Sequence, residues 1–166
     1  LGLHLGKPGA QNNEGHLLGH VRDMGGNHQK DRQFKSSGPI LFHCDAADVV
    51  GLLALQKAKE GGTSRLVSSV TVKNEFLKQR PDLLSTLYKL TALDTRGSGG
   101  TDYVWVNPVR YSNGVLRTFW HEAYFQSALS LPSGPSQTSE QREAHELYSS
   151  ILSREELWLD MDVPGF

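Results

Sequence analysis

The chain has 166 residues, enough for one domain with a substantial core, and its 37% hydrophobic content with 17 Gly and 7 Pro suits a loop-rich domain better than a helical bundle. Lys and Arg number 17 against 18 Asp and Glu, a net charge of -1, so the chain has neither the basic stripe that nucleic-acid binding needs nor a polybasic membrane patch. A single Cys excludes an internal disulfide framework and fits a reducing, cytoplasmic setting, and neither a membrane span nor a signal-peptide pattern is present.

Residues 1–38 are rich in Gly, His, Asn and Lys and show little periodicity, with Leu17–Val21 predicted as a short strand. His4, His16, His20 and His28 fall here at irregular spacings without a Cys, which reads as ordinary loop histidines. The chain opens at Leu1 without Met and closes at Val163–Phe166 without a polar tail, so both ends read as cut.

The most informative stretch is Pro39–Asp45, an apolar run that ends in His43-Cys44-Asp45. In an extended strand side chains alternate, so His43 and Asp45 are expected on one face and Cys44 on the other. An imidazole and a carboxylate in that arrangement are two ligands of a 2-His-1-carboxylate triad, the arrangement that holds non-haem Fe(II) and leaves positions open for substrates. The bland alternative is a strand-end His beside a solvated Asp. Val49–Leu55 is nearly all apolar and is predicted as a strand buried on both faces.

Lys57–Gly62 reads as a turn and Arg65–Val72 as a third strand. Helix is expected from Asn74, and Pro81 suits the first position of the next helix, whose apolar stripe is Leu83, Leu84, Leu87 and Tyr88. Arg96–Gly100 is a Gly-rich loop without the Gly-Lys-Ser/Thr of a phosphate loop. Tyr103–Val109 alternates like a strand, and Asn113-Gly114 predicts a hairpin pairing it with Val115–Trp120.

After a Pro/Gly/Ser linker at Leu131–Ser139, Thr138 and Gln141 fit a capping box. Ala144, Leu147, Tyr148, Ile151 and Leu152 then recur at helical spacing, with His145 expected on the polar side. Glu155–Asp162 reads as a solvated turn, and His121 follows a strand from which it could approach the core.

Several blocks in order resemble one family. Phe42–Asp45, Asp48–Leu53, Ala58–Ser64, Val67–Val72 with Asn74-Glu75, and Arg80–Leu83 are similar to the TauD/TfdA family of Fe(II)/2-oxoglutarate-dependent dioxygenases, especially its fungal-type branch. Gly2–Gly6, Gly15–Asp23, Tyr124–Ala128 and Gln141–Ala144 carry the resemblance over most of the chain. It implies a single partial domain over residues 1–166, mainly β with flanking helices: an incomplete double-stranded β-helix, or jelly roll. His43 and Asp45 inherit the iron-binding roles, and Thr63 or Ser64, just after the paired Gly, lies near the 2-oxoglutarate. The implied activity is oxidation of a C–H bond of a small organic substrate, with no nucleic-acid or membrane partner and no indication of oligomeric state.

In that family the distal His and the 2-oxoglutarate-binding Arg follow an Asp-Pro-Gly-like turn, and here Pro164-Gly165 are among the last residues. The expectation is therefore a C-terminally truncated member, inactive alone, with His121 the first candidate for a substitute ligand. Two alternatives stay open: a non-catalytic fragment of the family, and a metal-binding jelly roll without oxidation.

Overall fold

The computed structural model describes residues 2–12, 14–20, 40–55, 61–97 and 100–161. Predictions on Val21, His28 and Lys57–Glu60, and the chain's last five residues, fall outside these. The chain divides into two compact units: Leu1–Ile40 with Asp45–Leu53, and Leu41–Cys44 with Ala54–Phe166.

The first unit contains a four-residue helix, α1, at Gly2–Leu5. A polar turn follows, in which the Asn12 side-chain oxygen accepts from the backbone N–H of Glu14 (3.1 Å) and His16 (3.0 Å), the competition with regular structure that Asn commonly offers. Residues 17–18 form a bend and 19–20 are irregular, rather than the expected strand. The run from Val49 is likewise irregular, with Val49 63% and Leu53 71% exposed, so the expectation of a doubly buried strand is not met. Such a strand needs neighbours on both edges and cover on both faces, whereas a Cβ placed on Gly51 would meet nothing within 4 Å.

The second unit holds the hydrophobic core. Gly61 and Gly62 both take positive φ, 70° and 80°, the left-handed backbone that glycine favours; the rest of the predicted Lys57–Gly62 turn lies outside the described residues. The chain then forms β1 (Ser64–Leu66), much shorter than the strand expected to reach Val72. Ser68 ends it by capping α2 (Ser69–Gln79), its side chain accepting from the Thr71 N–H. Val72 and Phe76, one turn apart, are fully buried on the inner face of α2. Burial of that face outweighs the β preference of Val70, Thr71 and Val72. Pro81 opens α3 (Pro81–Leu84), as predicted, and a 3-10 turn at Ser85–Tyr88 continues it, burying Leu83 and Leu87.

Among the described residues the strands pair into three antiparallel sheets of two strands each. β2 (Thr91–Asp94), not anticipated, pairs with β3 (Tyr103–Val106). β4 (Val109–Ser112) pairs with β5 (Val115–Thr118) across Asn113-Gly114, whose φ values of 52° and 76° make the tight hairpin turn expected there. The predicted partner strand Tyr103–Val109 is thus two strands. Pro108 stands between them, lacking the N–H that a continuous ladder would require.

α4 (Glu122–Leu129) packs against β2. α5 (Ser139–Leu152) carries the complete capping box: Gln141 N–H donates to Thr138 Oγ1 (3.2 Å) and Thr138 N–H to Gln141 Oε1 (3.1 Å). A 3-10 turn at Glu155–Leu157 leads to β6 (Leu159–Met161), which pairs with β1; the segment read as a solvated turn thus holds a turn and then an exposed strand, with Asp160 ion-paired to Arg65 at 3.2 Å.

The core gathers α2, α3 and α5 around Trp120, which stacks on Tyr148 with ring centroids 3.9 Å apart and meets Phe125 edge-on at 5.4 Å. His145 is also in it, 3% exposed and 5.2 Å from the Trp120 ring, so its expected place on the polar side of α5 is corrected. His145 lies three residues before Tyr148 and seven before Leu152, a spacing that puts all three on one face. The described residues are thus mixed helix and strand without a closed barrel, where a mainly β jelly roll was expected. A barrel closes only when strands distant in sequence complete the hydrogen-bonded ring.

Candidate functional site

His43 sits in an extended segment pinned at one point rather than in a full strand. It forms an isolated antiparallel bridge with His121, and the Cys44 N–H donates to the Trp120 carbonyl at 2.8 Å. The expected alternation is present in exposure: Phe42 and Cys44 are partly buried and packed on the core, while His43 is exposed. Asp45 is exposed and belongs to the first unit.

One nitrogen of the His43 ring is turned to the backbone. Its Nδ1 lies 2.9 Å from the Leu41 carbonyl oxygen. A carbonyl can only accept, so Nδ1 is the donor in this contact. This is how a metal-binding imidazole is ordinarily prepared, one nitrogen donating to a backbone carbonyl and the other turned to the metal. The donor chemistry of His43 therefore fits a metal ligand. Among the described residues no cluster of three or more His, Cys, Asp or Glu is placed to hold a metal.

His121, at the N-cap of α4, is brought against His43 with ring centroids 5.1 Å apart and planes at 43°. Its ring also stacks on Tyr124 at 3.8 Å and 18°. The Arg96 guanidinium lies 4.8 Å over the Tyr124 ring, a cation–π arrangement. Arg96 occupies a positive-φ turn (52°) and ion-pairs with the buried Asp94 at 3.4 Å, while Ser127 donates to the same carboxylate. Sequence reasoning singled out His121 but missed Tyr124, Arg96 and Asp94. The available signal was helical spacing: His121, Tyr124 and Ser127 recur every third residue of Glu122–Leu129 and its cap.

On the other side of the segment the Phe42 ring lies 5.7 Å from Trp158, and the Arg65 guanidinium sits 4.5 Å over that same Trp158 ring. Ser64 is the first residue of β1, paired with Met161, and exposed Thr63 precedes it directly after Gly61-Gly62. The His43 segment and the Thr63-Ser64 turn are thus linked through Phe42, Trp158 and Arg65.

A cavity of about 170 Å³ opens elsewhere in this unit, lined by Thr91, Trp105, Phe125, Gln137 and His145 among others, but not by His43 or His121. Burial lowers the His145 pKa to about 4, so the ring is neutral near pH 7; the Gln137 side-chain amide lies 3.3 Å from its Nδ1. No helix among the described residues is long and apolar enough to cross a membrane.

Comparison with known proteins places these features in a lineage. The profile of the taurine catabolism dioxygenase TauD, TfdA family matches residues 1–163. The chain is 30% identical over 172 aligned positions, 99% of its length, to FR-33289 synthase of Streptomyces rubellomurinus (strain ATCC 31215). It spans about half, 51%, of that relative's length.

Proposed function

This chain belongs to the TauD/TfdA dioxygenase family, and on that premise we propose that it is part of an Fe(II)/2-oxoglutarate-dependent dioxygenase that oxidises a C–H bond of a small organic substrate. The family match over residues 1–163 carries this reading. The contact of His43 Nδ1 with the Leu41 carbonyl oxygen supports it, because an Nδ1 held by a backbone carbonyl is the usual arrangement of a histidine that ligates through Nε2. His43 and Asp45 would hold the iron as the first two protein ligands of a facial triad, with the third donor from elsewhere in the complete protein. The bound iron and 2-oxoglutarate supply an oxidant strong enough for an unactivated C–H bond. This chain's residues would orient that chemistry: Thr63 or Ser64, just after Gly61-Gly62, would lie near the 2-oxoglutarate, and the packing of Phe42 and Cys44 on the core anchors the His43 backbone. The complete domain is proposed to be a jelly roll to which residues 1–166 contribute one continuous piece.

Succinate release by the complete protein with Fe(II), ascorbate, 2-oxoglutarate and oxygen tests the reading. Turnover should depend on both metal and 2-oxoglutarate. His43→Ala and Asp45→Ala should each lower it at least about 100-fold while leaving the melting temperature nearly unchanged, since both side chains are exposed. Full turnover in either variant would refute the site. Metal binding without any 2-oxoglutarate turnover would favour a metal-binding jelly roll without oxidation.

A further inference from the structure

We propose that His121 is a positioning residue for His43, holding the imidazole in the direction in which its Nε2 meets the metal. The inference rests on the reading of His43 as an iron ligand. An exposed His on an irregular segment has two free side-chain torsions, whereas a useful ligand must be held within about 10–20° of its productive direction. The Leu41 carbonyl restrains one ring nitrogen. His121 closes the other side. Its backbone bridges to His43, and its ring lies against the His43 ring at 5.1 Å.

His121 is held in turn. Tyr124 stacks on it at 3.8 Å, and Arg96 covers the Tyr124 ring at 4.8 Å. Asp94 fixes Arg96 twice, through the ion pair and by accepting the Arg96 backbone N–H at 2.7 Å. Ser127, on α4 with Tyr124, binds the same carboxylate and returns the array to its own helix. The end of β2 and the first turns of α4 therefore form a connected run of contacts that reaches the His43 ring. A positioning role needs the His121 ring as a flat surface and does not need its nitrogens, so an aromatic hydrocarbon should substitute for it.

The experiment is titration of the complete apoprotein with Co(II), read from the visible absorption of the bound ion, for the wild type, His121→Ala, His121→Phe and His43→Ala. His121→Ala should weaken Co(II) binding about tenfold, the scale on which support of a ligand acts. His121→Phe should restore most of the affinity and the wild-type spectrum. Equal losses in His121→Phe and His121→Ala would make the ring nitrogens essential and overturn the positioning role, as would unchanged affinity in His121→Ala. His43→Ala separates the two readings. If it binds Co(II) like wild type, the assignment of His43 as a ligand fails and the inference falls with it. If it loses binding while both His121 variants keep it, only the inference fails.

Discussion

At the scale of single residues, neighbours in sequence serve different tasks because backbone alternation sends them to different surroundings. His43 is exposed, whereas Cys44 beside it packs against the core. The Tyr148 hydroxyl has its pKa raised by burial first and by the nearby Cys44 second. Cys44→Ala should therefore cost about 1 kcal/mol in urea unfolding while leaving metal affinity within twofold. A large loss of metal binding at unchanged stability would place Cys44 at the metal. His145 gives a pH dependence. Its folded pKa, about 4, lies below the ordinary value of 6.5, so the fold favours the neutral ring. That stability is intact above pH 6.5 and is lost as pH falls toward 4, by up to about 3 kcal/mol. The urea midpoint should drop over that window in wild type and much less in His145→Gln.

At the scale of elements, ends are set by local chemistry and faces by packing. The Thr138–Gln141 capping box satisfies two backbone donors at the start of α5. Thr138→Ala should cost about 1 kcal/mol, read as a lower melting temperature with unchanged succinate release. Just before it, a Cβ on Gly134 would run into the Ala128 carbonyl oxygen at the end of α4. Gly134→Ala should consequently destabilise more than Thr138→Ala, and a smaller effect would mean that the loop relaxes freely. Exposed ion pairs such as Arg80 with Asp82 (2.7 Å) and Glu143 (3.2 Å) connect α3 to α5 but contribute little to stability.

At the scale of the whole molecule, the described residues of the second unit combine a dense helical core with two-stranded sheets. Val104, Trp105, Tyr111 and Val115 on these strands are 41% exposed or more. Two-stranded ribbons are marginal by themselves, and uncovered strand edges invite association. The expected outcome is that the 166-residue chain binds Fe(II) weakly, releases no succinate and associates in light scattering. A longer form supplying a further His and an Arg for the 2-oxoglutarate carboxylate should improve on all three. Robust succinate from the short chain would show that it holds a complete donor set.

What the sequence by itself determined is local. The capping box of α5, Pro81 at the start of α3 and the Asn113-Gly114 turn each depend on residues within a few positions of one another, so their geometry follows from the chain alone. The family, too, was legible, because its blocks retain their order along the chain. What only the tertiary structure decided depends on partners far away in sequence. Val70–Val72 became helix because Val72 and Phe76 meet a core built largely by α5. Tyr103–Val106 paired backward with Thr91–Asp94, and His145 was buried beside Trp120. His121 rests against His43, 78 positions away in sequence, through a backbone bridge and a tilted ring contact that need both segments on the same core.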